Sequence, residues 1–135
     1  MILLGDVLDY VNTLGISEMQ NNYCGVMADK KQKAIGVYPL KSGRAPRGTL
    51  GGVENSSYET KGISFLIHWN KSPSETETAA IKFHEALSEC RNIAINGHEI
   101  MFIQLSYSEP IPVGTDDNGI FEYVVECLFY FRKES

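Results

Sequence analysis

Near its end the chain reads Ile120-Phe121-Glu122-Tyr123-Val124-Val125-Glu126-Cys127-Leu128-Phe129-Tyr130-Phe131-Arg132, a run that alternates with a period of two residues. In a β-strand this period sends successive side chains to opposite faces of the sheet. One predicted face is apolar throughout and consists of Phe121, Tyr123, Val125, Cys127, Phe129 and Phe131. The other carries Glu122, Val124, Glu126, Leu128 and Tyr130. We therefore predict a strand over residues 120–132 whose odd-numbered face belongs to the core and whose even-numbered face is also partly apolar.

Four further strands are predicted upstream of this one. In residues 58–70, one face holds the core candidates Ile63, Phe65, Ile67 and Trp69. Residues 100–107 follow an Asn96-Gly97 turn signal and are apolar on both faces, which predicts a central strand. Residues 22–28 and 34–40 are separated by a short polar segment, which predicts a hairpin whose second strand ends at Pro39.

Two helices are predicted from apolar residues at intervals of three and four. The first covers residues 2–14 and is ended by Gly15. The second covers about residues 75–92, because Ser74-Glu75-Thr76-Glu77 forms a capping box directly after Pro73.

These elements define a single α+β domain over residues 1–135. We predict an antiparallel or mixed β-sheet of about five strands with two helices packed on it, and a long glycine-rich basic loop. A chain of 135 residues can bury one core of this kind without disulfides.

Composition excludes several classes of function. The formal net charge of −5 argues against a general nucleic-acid binder, which needs a surplus of basic residues. The three cysteines, Cys24, Cys90 and Cys127, lie far apart in apolar contexts, which predicts buried thiols in a reducing compartment. Because no apolar run approaches about 20 residues, and the first residues lack a basic leader, we expect neither a membrane span nor secretion.

One region is strongly basic in this acidic chain. Between Lys30 and Val53 there are six basic residues and no acidic one. Arginine side chains need water or an anionic partner. The thirteen residues from Lys41 to Val53 form the one long predicted loop, and a loop of that length in a compact domain is usually functional or disordered. We predict an assembly loop whose contacts come from Lys41, Arg44, Arg47, Gly48, Gly51 and Gly52. The spacing of Gly43 and Gly48 resembles a phosphate-binding loop only superficially, because no lysine follows the second glycine and Gly51-Gly52 disfavours a helix.

No set of residues has the spacing of a catalytic or metal site, so we expect no enzymatic activity, no metal and no cofactor. The histidines His68, His84 and His98 do not form a metal-binding pair on one face. Glu122 and Glu126 lie four residues apart on a strand, about 13 Å, which is too far for a catalytic carboxylate pair. We predict that these two carboxylates are exposed, or that they line a lumen or a subunit interface.

The order of these features resembles the tail terminator family of long-tailed bacteriophages, a group often labelled phage minor capsid proteins. The resemblance covers almost the whole chain, including the N-terminal helix and the capped helix. It is carried by Gly36-Val37-Tyr38-Pro39, Leu50-Gly51-Gly52, Ser57-Tyr58-Glu59 leading into Ile63-Ser64-Phe65-Leu66-Ile67, and the ending Asp117-Asn118-Gly119-Ile120-Phe121-Glu122-Tyr123-Val124-Val125 with Tyr130.

The resemblance implies a structural protein of the virion, assembled in the host cytoplasm. Members of the family form hexameric rings on the head-proximal end of the tail tube, stop its polymerisation and present the surface to which the head attaches. The implied partners are further copies of the chain, the tail tube protein and a head completion protein. DNA would pass through the lumen of the ring without specific binding, and no membrane is involved.

A function of a different class stays open at this point. The residues also fit a small α+β ligand-binding or regulatory domain whose basic loop closes on an anionic metabolite. A monomer whose melting temperature rises with a small anion would favour this alternative, whereas ring particles would favour the structural role.

Overall fold

Seven strands form one mixed sheet in the part of the chain that the computed structural model describes, which comprises residues 1–25, 31–40 and 58–132. The helices are α1 (Leu4–Leu14) and α2 (Pro73–Ser88), and a single 3₁₀ turn covers Met19–Asn21. The strands are β1 (Tyr23–Cys24), β2 (Ala34–Pro39), β3 (Tyr58–His68), β4 (Arg91–Ile95), β5 (His98–Leu105), β6 (Ile111–Thr115) and β7 (Phe121–Arg132).

The strand β7 lies at the centre of the sheet and has three neighbours. It pairs antiparallel with β3 over eleven positions, from Tyr58 opposite Arg132 to His68 opposite Glu122. Its other edge is shared, because β5 pairs with residues 127–131 and β6 pairs with residues 121–124. The strands follow the order β1-β2-β3-β7-β5-β4, with β6 beside β7.

Both helices pack on the same face of the sheet and enclose the core there. The Tyr10 ring of α1 meets the Phe129 ring of β7 edge-on at a centroid distance of 6.0 Å. The Phe83 ring of α2 meets the Phe65 ring of β3 in the same way at 4.8 Å. The predicted core face is confirmed by the buried side chains Ile63, Phe65, Ile67, Trp69, Val125, Cys127, Phe129 and Phe131. Phe121 and Tyr123, which were assigned to the same face, are only half-buried.

The ends of the helices follow from their capping residues. Gly15 adopts a left-handed conformation with a φ of 69° and ends α1, as predicted. The predicted limits of α2 were wrong at both ends. Its cap is Ser72, whose hydroxyl accepts a hydrogen bond from the Glu75 N–H at 3.2 Å, and Pro73 occupies the first turn. The helix ends at Ser88, because the chain enters β4 at Arg91.

The prediction of about five strands missed two. The strand β4 lies partly in the segment assigned to α2, and β6, which contains Pro112, lies in a segment where no strand was predicted. Pro112 is tolerated because β6 is an edge strand with one neighbour. The predicted hairpin of residues 22–40 was also wrong, since β1 pairs with β2 in parallel, with Tyr23 opposite Gly36. Residues 26–28 of that prediction lie outside the described residues.

A close contact in this parallel pair gives a test of the fold. The Tyr23 ring lies directly over Gly36, where an added Cβ would overlap it, and the Tyr23 and Tyr38 hydroxyls are 3.0 Å apart. We expect Gly36→Ala to displace the ring and to lower the free energy of unfolding by about 1–3 kcal/mol. Urea denaturation would measure this loss. The control is Gly5→Ala in α1, where a Cβ meets open space, so its stability should stay unchanged or rise slightly. Equal urea midpoints for the Gly36→Ala and Gly5→Ala variants would contradict the close contact between the Tyr23 ring and Gly36.

Candidate assembly surface

No described helix covers the face of the sheet opposite α1 and α2, and we call it the open face. It is formed by even-numbered side chains of β3 and β7 together with their neighbours on β2 and β5. Most of these side chains are half-buried in the single chain. Its apolar members are Tyr38, Tyr58, Leu66, Phe102, Val124, Leu128 and Tyr130.

Aromatic rings are clustered at one end of the open face. The Phe102 ring stacks on the Tyr130 ring with a centroid distance of 4.3 Å and an interplanar angle of 15°. Tyr58 lies on the other side of Tyr130 at 5.3 Å, and the Tyr130 hydroxyl donates to Gln104 Oε1 at 2.8 Å. The alternation in the sequence did not reveal this cluster. A bulge in β5 between Ile100 and Phe102 shifts the register and brings Phe102 beside Tyr130.

The two carboxylates that the sequence singled out both lie on the open face. Glu122 is opposite His68 and Glu126 is opposite Ser64 in the β3–β7 register. Both side chains are half-buried. Glu126 occupies the middle of the face, where its neighbours along β7 are the apolar Val124 and Leu128.

The predicted assembly loop is not among the structurally described residues. Lys41, Arg44, Arg47, Gly48, Gly51 and Gly52 all fall in the range 41–57. The described chain leads up to this range at Leu40, whose N–H donates to the Gly62 carbonyl at 3.1 Å. It continues at Tyr58, at the aromatic end of the open face.

A hydrogen-bonded pair, His68 with Asp116, joins separate elements at one end of the sheet. The His68 ring is almost fully buried, with Nε2 2.8 Å from Asp116 Oδ2 and Nδ1 2.8 Å from the Lys31 carbonyl oxygen. The pair joins the end of β3 to the β6–β7 turn and to the segment before β2. Because its partners are 48 positions apart in sequence, no local pattern could have identified it.

Asp116, in the turn between β6 and β7, is expected to make the stability of the fold depend on pH. The hydrogen bond from His68, with those from the Ile120 and Asn118 N–H groups, lowers the pKa of Asp116 to about 2. The ordinary value is about 3.9, so this carboxylate stabilises the fold fully above that value, and the contribution is lost as the pH falls through about 2. We expect Asp116→Asn to be less stable than the unmodified chain at pH 6, and this difference to shrink towards pH 2.

Denaturant midpoints at several pH values would test this expectation. The matched control is Asp117→Asn, since the Asp117 side chain makes no hydrogen bond within the described residues. A difference for Asp116→Asn that stays constant from pH 6 to pH 2 would show that the carboxylate is not linked to folding.

The described residues contain no group of three or more His, Cys, Asp and Glu side chains that could hold a metal ion. The histidines have separate contacts, since His84 meets the Tyr107 carbonyl and His98 lies near Asp6.

Burial raises the pKa of the Cys90 and Cys127 thiols, which disfavours the reactive thiolate. Both pack in the core as predicted, whereas Cys24 is exposed and corrects the expectation of a third buried thiol.

A broad cleft of about 560 Å³ lies on the helical side of the molecule, between the end of α1 and the first half of α2. Trp69 and Ala79 belong to its lining, and Lys33, Glu75 and Lys82 supply mixed charges. The cleft is remote from the carboxylates of the open face, because the sheet separates the two sides.

The comparison with known families identifies the class of protein. A family model described as "Bacteriophage tail terminator protein" matches residues 10–130. The match includes both helices apart from the first turns of α1, and all the strands except the last two residues of β7. The chain belongs to this family, and its role is a structural one in the phage tail, as a component of the virion. A search of curated proteins found no match. Among the described residues there is no helix with the length and apolar character needed to cross a membrane.

Proposed function

We propose that the protein forms a hexameric ring on the head-proximal end of the tail tube, stops polymerisation of the tube and provides the surface to which the head attaches. Membership of the tail terminator family is the observation that carries this proposal. The open face adds physical support, because half-buried aromatic and aliphatic side chains on a solvent-facing sheet are typical of a protein interface.

Three kinds of protein partner follow from this role. They are other copies of the chain, the tail tube protein and a head completion protein. DNA passes through the lumen without specific binding, since the net charge of −5 repels a polyanion. Assembly takes place in the host cytoplasm and no membrane takes part.

Two sets of residues are assigned to assembly in this proposal. The first is the basic loop with Lys41, Arg44, Arg47, Gly48, Gly51 and Gly52. The second is the pair Glu122 and Glu126, which face a lumen or a neighbouring subunit. Neither set takes part in catalysis, and we propose that the protein has no turnover of its own.

The mass of the free protein and its effect on tail tubes test the proposal together. Six copies of the 15.1 kDa chain correspond to about 90 kDa, which light scattering and negative-stain images would detect as rings. Added to polymerising tail tube protein, the chain should stop elongation and appear at one end of each tube. A chain that stays monomeric and leaves tube length unchanged would overturn the proposal. If that monomer were stabilised by a small anion, it would support a ligand-binding domain instead.

A further inference from the structure

The open face has the dimensions of a protein interface. Four strands, β2, β3, β7 and β5, lie side by side in it, and β3 alone is 11 residues long. The strands β2, β3, β7 and β5 have 6, 11, 12 and 8 residues, so at about 4.8 Å between strands and about 3.3 Å per residue the face measures roughly 590 Å². This is about three quarters of the roughly 800 Å² that each partner contributes to a standard protein interface.

The chemistry of the open face favours a partner that is basic as well as apolar. Glu126 is half-buried between the apolar Val124 and Leu128 along β7 and lies opposite Ser64, and no ion pair of the described residues involves it. A carboxylate that is desolvated in an interface needs a cation to offset the cost of its burial. Arginine suits this role best, because its guanidinium can donate two parallel hydrogen bonds to a carboxylate.

The chain itself contains a segment with this chemistry. Residues 41–47 include Lys41, Arg44 and Arg47, and no acidic residue occurs between Lys30 and Val53. The segment begins directly after Leu40, which is hydrogen-bonded to Gly62 at the border of the open face. Every copy therefore has a basic segment, which follows Leu40 in sequence, and a face that carries aromatic rings and two carboxylates, and a head-to-tail ring requires two unlike surfaces of this kind.

We propose that the open face of one copy receives the basic segment 41–47 of the next copy, and that Glu126 is the carboxylate that meets its arginines. This inference rests on the ring proposed above and specifies which two surfaces form its interface. It also specifies the direction of the contact, because each copy donates its segment to one neighbour and accepts the segment of the other.

Charge reversal on each side of the contact tests this proposal. One variant is Glu126→Arg and the other is Arg44→Glu with Arg47→Glu. We expect each variant alone to stay monomeric, because its contacts become repulsive. An equimolar mixture should form rings in which the two variants alternate, since every interface then joins opposite charges. A chain that carries all three substitutions should also form rings by itself.

The controls separate the possible outcomes. Glu85→Arg, an exposed change on α2, should leave the ring intact, and thermal melts should show that every variant is folded. If Glu126→Arg does not fold, Glu126→Gln replaces it and should weaken the ring at least tenfold.

Recovery of rings by the triple variant but not by the mixture would mean that the segment contacts its own chain, which overturns the inference. Rings formed by each variant alone overturn the inference but leave the proposed function intact. A wild-type chain that forms no ring, with or without tail tubes, overturns both.

Discussion

Replacing Phe129 by Ala is expected to lower the free energy of unfolding by about 3–5 kcal/mol. The Phe129 side chain is fully buried in the middle of β7, where its ring lies 6.0 Å from that of Tyr10 and 6.2 Å from that of Phe65. The truncation would leave a cavity between α1 and the sheet that its neighbours cannot fill. A loss of this size is a large part of the stability of a domain, which is about 5–15 kcal/mol, so the variant should be partly unfolded at 37 °C.

The midpoint of urea denaturation would measure this loss, and Phe102→Ala is a matched control. Phe102 belongs to the same sheet and loses the same atoms, but it is half-buried on the open face. Phe102→Ala should therefore lower the free energy of unfolding of the monomer clearly less than Phe129→Ala does. Similar losses of unfolding free energy in the two variants would show that the open face is as well packed as the core. The assignment of the two faces would then be wrong.

The second large effect concerns assembly rather than stability. Arg44→Glu combined with Arg47→Glu should abolish ring formation and attachment to the tail tube, with the melting temperature nearly unchanged. Arginines in a loop add little to a core, whereas reversing two positive charges at an acidic surface replaces attraction by repulsion. Rising salt should reproduce part of this effect in the unmodified protein, because it screens exposed charges beyond about 8–10 Å.

Electron microscopy of tails and the yield of joined particles would measure the assembly defect. A lysine pair at the same positions is the control, since it keeps both charges and tests whether the guanidinium shape matters. Normal yields from the glutamate variant would mean that the charges of the loop are incidental.

The sequence predicted the side chains of the core better than the partners of the strands. The alternation in β3 and β7 reveals which face is apolar, because burial of one face is a local property of each strand. The direction in which β1 pairs with β2 depends on contacts such as Tyr23 with Gly36, which are separated by 13 positions. Extended segments are therefore recognisable, but whether they form a hairpin or a parallel pair is not.

The strand β4 shows a different limit. Cys90, just before β4, continues the apolar spacing of Phe83 and Leu87 in α2, so the helix was predicted to extend to about residue 92. Asn92 then takes a φ of 49°, a left-handed conformation that an α-helix does not contain. Asparagine tolerates this conformation better than most residues, and this was the one local signal for the change.

The candidate surface was predictable only in part. Glu122 and Glu126 were identified because two carboxylates share one face of the last predicted strand, and both lie on the open face. The aromatic cluster depends on a bulge in β5, and the pair of His68 with Asp116 depends on the tertiary fold. The predicted roles of the basic loop stay predictions, since residues 41–57 lie outside the described part of the chain.

The central position of β7 has a consequence for biosynthesis. This strand is translated after β3, β5 and β6, the three strands that it joins. The pairs between β3 and β7 connect residues that are 54 positions apart for His68 and Glu122, and 74 positions apart for Tyr58 and Arg132. Such long separations slow folding, because the intervening chain must close into a loop, at a cost in entropy, before the stabilising contacts can form. While the ribosome is still making residues 121–132, the nascent chain holds strand edges with no partner, and this interval is when it most needs protection from aggregation.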